Sequence, residues 1–267
     1  MMSETDKEHI AIFDSGIGGL TVLYEARKLL PSESFLYYAD SHNLPYGPKS
    51  SLEIASYVKN AVEYLQQFNL KALVLACNTA TSVVVQELRN EYSFPIIGME
   101  PAVKPAAEIA DGKKILVCAT ERTLSEEKLS QLISGLDAED KVEKMALSEL
   151  VCFSENEQFE GAKPKNYCKE QFNGINWEEF GALVLGCTHF IFFRNLIQSV
   201  IPQHVQVVDG NLGTVKRLAS LIETTALDYS RGIVYHESKA MADAGRFERY
   251  LKYLQELDQQ NHPDRIL

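Results

Sequence analysis

Residues 73–81 read LVLACNTAT, and residues 183–189 read LVLGCTH. Each starts as a run of large aliphatic residues and ends on a cysteine followed at once by polar residues. Such a run, closed by polar residues and then by a helical pattern, reads as a buried strand of a parallel sheet. Cys77 and Cys187 therefore stand at the C-terminal ends of two similar strands, 110 positions apart. A buried strand does not require C-N-T or C-T-H behind it, so these tails point to more than packing.

The pattern extends outward from both stretches. HIAIFDS (9–15) is a strand, GIGG a tight turn, and LTVLYEARKLL a helix stopped by Pro31. SFLYYAD is a second strand, SHNLPYGPKS (41–50) a loop, and SLEIASYVKNAVEYLQQF a helix. LKALVLACNT is a third strand, ATSVVVQELRNEY a helix, and FPIIGME a fourth strand. The order then repeats: KKILVCAT as strand, SEEKLSQLISG (125–135) as helix, and KVEKMAL as strand. A polar stretch follows to about Trp177, then FGALVLGCTH as strand and FIFFRNLIQSVI leading into a helix. VQVVDG (205–210) is the last expected strand. A helix over NLGTVKRLASLIETTAL, a polar segment and a helix over AGRFERYLKYLQEL close the chain.

The halves can be superposed in sequence, with IAIFDS (10–15) on ILVCAT (115–120) and LVLACNT on LVLGCTH. The expected fold is α/β, with two pseudo-symmetric domains. Each is a mostly parallel sheet flanked by helices, and the active site lies in the cleft between them. Residues 1–98 plus 208–267 form the first domain and 99–207 the second.

Composition narrows the function. The chain has 267 residues, long for one compact core, and is 45% hydrophobic and 24% charged, an ordinary globular balance. A net charge of −11 repels phosphate backbones and anionic lipid, so neither nucleic acid nor a membrane is expected as partner. No run approaches the roughly 20 apolar residues of a membrane span. MMSETDKEHI lacks the basic and apolar regions of a signal peptide, so a cytoplasmic location is expected. Five widely spaced cysteines read as free thiols.

Two thiols facing one pocket can invert a stereocentre. One thiolate removes a proton from carbon while the opposite thiol returns one, with no cofactor or metal. A free thiol has a pKa of about 8.5, and both cysteines sit between a strand and a helix, where a helix N-terminus lowers it. Asp14 ends a strand at the edge that carries Cys77, and His189 lies two residues beyond Cys187. Each could exchange a proton with its neighbour. Cys118, Cys152 and Cys168 read as small buried hydrophobes. Cys77, Cys187 and His189 could also ligate a metal, but no C-x-x-C pair or fourth ligand at a familiar spacing accompanies them, and no metal is expected. The D-S-G-I-G-G turn could cradle a phosphate, although it lacks a Lys and the full fingerprint.

These residues resemble the glutamate racemases of the aspartate/glutamate racemase superfamily. The matching pieces are IAIFDSGIGGLTVL (10–23), YYADSHNLPYGPKS (37–50), LVLACNTAT, GMEPAVKPA (98–106), TERTLS (120–125) and LVLGCTH. The resemblance implies cofactor-independent interconversion of L- and D-glutamate, supplying D-glutamate for peptidoglycan. It implies Cys77 as the base toward D-glutamate, assisted by Asp14, and Cys187 as the base toward L-glutamate, assisted by His189. Glu155 aligns with a further assisting glutamate, although ALSELVCFSE (146–155) keeps little of the family's A-C-P-x-x-V-P-x-x-E pattern. Implied substrate contacts are Asp14, Ser15, Tyr46, Gly47, Asn78, Thr79, Thr120, Thr188 and His189. Hydroxyls, an amide and backbone N–H groups can hold two carboxylates, with Asp14 as a partner for the ammonium. Phe190 and Ile191 replace the family's usual Tyr-Pro, and Gly210 stands where Ser is common. A homodimer is a family-level expectation only. The alternatives are an aspartate or hydantoin racemase, against which His189 after Cys-Thr argues, and a non-catalytic ligand-binding protein, which would need no matched acid and base.

Overall fold

The computed structural model describes residues 8–224 and 232–261. The chain runs β1 (His9–Asp14), α1 (Leu20–Leu29), β2 (Phe35–Ala39), α2 (Ser51–Leu65), β3 (Leu70–Leu75), α3 (Asn78–Glu91) and β4 (Ile96–Gly98). It continues α4 (Val103–Ile109), β5 (Lys114–Ala119), α5 (Glu121–Ser125), α6 (Glu127–Ser134), β6 (Val142–Ala146), α7 (Glu149–Glu155), α8 (Ala162–Gln171) and β7 (Phe180–Leu185). α9 (Arg194–Gln198), β8 (Gln206–Asp209), α10 (Asn211–Ala219), β9 (Ile233–Glu237), β10 (Ala240–Met241) and α11 (Ala244–Asn261) complete it.

Two sheets result. One has six strands in the order β10-β9-β2-β1-β3-β4, the other four in the order β6-β5-β7-β8. All pairings are parallel except β9 with β10. The succession β2-β1-β3-β4 has the same connectivity as β6-β5-β7-β8. The likeness reaches the register: β1 slips against β3 between His9 and Ile10, and β5 slips against β7 between Lys114 and Ile115. The expected fold class is therefore present, with sheets pseudo-symmetric down to a shared irregularity.

The central strands are buried along their whole length in β1 and β7, as near-continuous apolar runs require in a sheet covered on both faces. Side chains cap the heads of α2, α3 and α5. Ser50 and Glu53 form a capping box at α2, and the Cys77 sulfur accepts from the Ala80 N–H at the head of α3. That cap starts α3 at Asn78, two residues before the sequence pattern does.

Several expectations change. The helix expected over 125–135 is α6, which begins at Glu127, and an unexpected short helix, α5, precedes it, the two separated by Glu126 in an extended conformation. The polar stretch before Trp177 contains α7 and α8; Pro164 is tolerated within the first turn of α8, where an N–H has no intrahelical partner anyway. β8 is not the last strand, since β9 adds in parallel to β2 and β10 turns back on it. β8 also spans the expected crossing at 207/208 and pairs with β7 throughout, so the chain leaves the second sheet after Asp209. The helix expected over 211–227 ends at Ala219, and its final residues lie outside the described ones. Among the described residues, no helix is long and apolar enough to cross a membrane.

Candidate active site

Cys77 follows β3 and Cys187 follows β7, the matching strands of the two sheets. Both line one cavity of about 290 Å³. Ser15, Tyr46, Gly47, Asn78, Thr79, Thr120, Thr188 and His189 line it too, so nearly every residue expected to touch substrate is brought together. Asp14 and Glu155 are not in its wall. No Lys or Arg lines the cavity among the described residues; its polar surface is hydroxyl, amide, thiol and the His189 imidazole, with the carboxylates of Glu121 and Glu149.

On the Cys77 side, the sulfur lies 3.7 Å from the Ser15 hydroxyl and 3.4 Å from the Ala80 N–H. Behind it, Asp14 is 0% exposed, and it accepts from the Gly16 N–H at 2.9 Å and from the Thr188 hydroxyl at 3.1 Å. Burial raises the Asp14 carboxyl above its ordinary value, although His189, Gly16 and Thr188 pull the other way. The lowering expected for the Cys77 thiol does not occur. Burial, reinforced by the Asp14 charge, pushes it up to about 12, outweighing the Ala80 N–H.

On the Cys187 side, a 3-10 turn over Thr188–Phe193 carries His189 back toward the sulfur. His189 Nδ1 lies 3.8 Å from Cys187 Sγ, and Nε2 lies 2.8 Å from Glu155 Oε1. Glu155, at the end of α7, also accepts from the Ile17 N–H at 2.8 Å and from Arg246 at 3.0 Å. Burial alone would raise its carboxyl, yet His189, Ile17 and Arg246 together hold it below its ordinary value. Burial likewise opposes the charged form of His189, but Cys187, Glu155 and Asp14 carry it well above its ordinary value. The imidazole is thus held as a cation, with one N–H toward a sulfur and the other toward a carboxylate.

The glycines of D-S-G-I-G-G serve close approach. A Cβ on Gly16 would overlap Glu155 Oε1, and one on Gly18 would overlap the Thr188 hydroxyl and the His189 ring. This replaces the phosphate-cradle alternative with a packing reason: the turn lies directly against the Cys187 half of the site.

Thr79, Thr120 and Thr123 form a hydroxyl triangle with sides of 2.9 to 3.2 Å, joining α3 to α5 beside the cavity. Asn78 Oδ1 is buried without a hydrogen-bond partner among the described residues. The Tyr46 hydroxyl donates to Asp40 at 2.6 Å, which leaves its ring and backbone to face a ligand.

Sequence reasoning missed Thr123, Ser148, Val151 and Cys152 in the wall and Arg246 behind it. Thr123 was within reach, as part of the TERTLS motif. Cys152 was expected to be buried but is exposed at the cavity. Cys118 and Cys168 are buried as expected.

The model of the Asp/Glu/Hydantoin racemase family matches residues 21–218. The chain is 46% identical over 252 residues to a glutamate racemase of Halothermothrix orenii, covering 93% of this chain and 99% of that one. It is 42% identical to glutamate racemase 2 of Bacillus subtilis, covering 94% and 96%. Its fold matches the crystal structure of the glutamate racemase isoform RacE1 from Bacillus anthracis with a TM-score of 0.81 at 29% identity, over 94% of this chain and 95% of that one. The Escherichia coli glutamate racemase in complex with L-glutamate and the activator UDP-MurNAc-ala matches with a TM-score of 0.81 at 29% identity, over 92% and 95%.

Proposed function

Because this chain belongs to the aspartate, glutamate and hydantoin racemase family, we propose that it interconverts L- and D-glutamate by two-base proton transfer between Cys77 and Cys187. The observation that carries this reading is the pair of thiols lining one cavity from equivalent strand ends of two like sheets. Domains 1–98 with 208–267 and 99–207, the crossing adjusted to follow Asp209, would each supply one cysteine.

The resting charges favour one arrangement. His189 as an imidazolium faces the Cys187 sulfur at 3.8 Å, where it would offset the charge developing as that sulfur acts as base, while Cys77 is a thiol. L-Glutamate then gives its α-proton to Cys187, and the carbanion takes a proton from Cys77 on its opposite face. D-Glutamate leaves, and a proton passes from Cys187 back to Cys77 to reset the pair. In the other direction Cys77 must be the base. The ammonium of the entering substrate is the added charge that favours its thiolate, alongside the Ala80 N–H and Ser15.

Substrate contacts follow from the donors at hand. The head of α3 and the hydroxyls of Ser15, Thr79, Thr120 and Thr188 suit carboxylates. The unpartnered Asn78 Oδ1 suits the ammonium. Asp14 is one layer back, so its help to Cys77 would act through Thr188, Gly16 and its charge. The product is assigned to peptidoglycan, the use the resemblance implies, and free thiol chemistry supports a reducing, cytoplasmic setting.

The test is incubation of the full chain, freed of metal by chelation, with L-glutamate in deuterated water. Loss of optical rotation with deuterium entering the α-carbon is expected. Binding without label would sink the enzymatic reading. Faster turnover of aspartate than glutamate would reassign the substrate.

A further inference from the structure

Glu155 is gripped from outside the cavity by α11, which packs beside β9. Arg246, in the first turn of that helix, donates to Glu155 Oε2 at 3.0 Å and, through its other terminal nitrogen, to Glu237 at 2.8 Å. Tyr250, one turn on, donates to the backbone carbonyls of Ser154 at 3.1 Å and Glu155 at 3.2 Å. The Phe247 ring between them stacks on Tyr235 of β9, with centroids 5.2 Å apart and the rings nearly parallel. The helix is therefore fixed to the first sheet, and its two polar side chains hold the side chain and backbone of a residue that belongs to α7.

We propose that Arg246 is a positioning residue for the Cys187 half of the reaction, acting through Glu155 and His189. This rests on the racemase reading above. Oε1 of Glu155 serves the Ile17 N–H and His189 Nε2, and Oε2 serves Arg246, so the carboxylate is held at both oxygens. With Oε2 bound, the carboxylate cannot turn away from the imidazole. The imidazole in turn keeps Nδ1 toward Cys187. A guanidinium forked between two carboxylates is suited to this, because its planar donors fix direction as well as charge. Arg246 lies 91 positions after Glu155 and outside the cavity wall, so no motif around either cysteine includes it.

The test measures kcat and KM of the full chain in both directions, for the wild type, Arg246→Gln, Arg246→Lys, Glu155→Gln and the Arg246→Gln/Glu155→Gln double variant, with Tm alongside. Misplacing a catalytic group by a fraction of its contact distance costs on the order of tenfold or more. Arg246→Gln is expected to lower kcat roughly tenfold in each direction with KM moved less than about twofold, and Arg246→Lys to recover part of the loss. In the Glu155→Gln background, Arg246→Gln should cost little more, because its route to the sulfur is already cut. The proposal is overturned if Arg246→Gln keeps wild-type kcat. It is also overturned if the variant loses the same factor with Glu155 already changed, or loses only Tm. A wild type that fails to racemise glutamate would instead overturn the reaction itself.

Discussion

The Thr188 hydroxyl donates to Asp14 Oδ2 at 3.1 Å, so the residue beside one cysteine is bonded to the strand end beneath the other. The two halves of the site are thus joined through a buried carboxylate rather than only across the cavity. That carboxylate is costly to bury, and its partners offset the cost only in part.

Asp14→Asn should therefore stabilise the fold while slowing the reaction. A carboxyl raised by folding withdraws stability as pH climbs from its unfolded value of about 3.9 through its folded one. The Tm advantage of Asp14→Asn over wild type should grow as pH rises from about 4 through the raised folded-state value, with kcat down by about tenfold. Thermal melts across that range check it, and a Tm difference independent of pH would contradict the assignment of the charge.

The single cysteine variants should separate the two half-reactions. Cys187→Ala and Cys77→Ala should each lose racemisation by about a thousandfold or more, as expected when a reacting group is deleted. Cys187→Ala should still exchange the α-proton of D-glutamate with solvent, and Cys77→Ala that of L-glutamate. Proton NMR in deuterated water reads both. Exchange of the same enantiomer by both variants would contradict the two-base scheme.

Thiol labelling should begin at Cys152. It is exposed at the cavity, whereas Cys118, Cys168 and Cys187 are buried and Cys77, also buried, is pushed up to about 12. A bulky maleimide on Cys152 should block the cavity and abolish activity, and Cys152→Ser should protect against that loss while turning over normally. Peptide mapping with parallel assays checks both. Early labelling of Cys118 would refute the burial on which this rests.

Gly18→Ala should disable the site although it changes no reacting group. Its methyl would enter the space of the Thr188 hydroxyl and the His189 ring. A kcat loss on the order of a hundredfold is expected, with the α/β circular dichroism retained. Wild-type turnover would show that the turn can yield.

The parts legible in sequence were those where one segment carries its own signal. β3 with Cys77 and β7 with Cys187 each combine an apolar run with a polar tail, and the likeness of these two segments is enough to imply the two-sheet plan. The cavity residues next to those strand ends were legible for the same reason. What was hidden depends on distant or weakly patterned chain. α8 buries only Pro164 and Cys168, so it offers little helical periodicity. β9 is half-buried beside β2 and was lost in polar surroundings. The fall expected for the Cys77 thiol failed because burial and a charge 63 positions away outweigh one backbone N–H.

The register slip shared by β1/β3 and β5/β7 bears on a problem of handedness. Mirror-image substrates would ideally be served by mirror-image catalysts, yet a chain of L-residues contains no reflection. It does allow rotation. Under the proposed reaction, repeating one sheet plan and turning the copy to face the first would bring two equivalent sulfurs to opposite sides of a single carbon. The carbon's other three substituents then need not exchange places. Only the hydrogen would change side, and inversion would become a passage from one copy of the fold to the other.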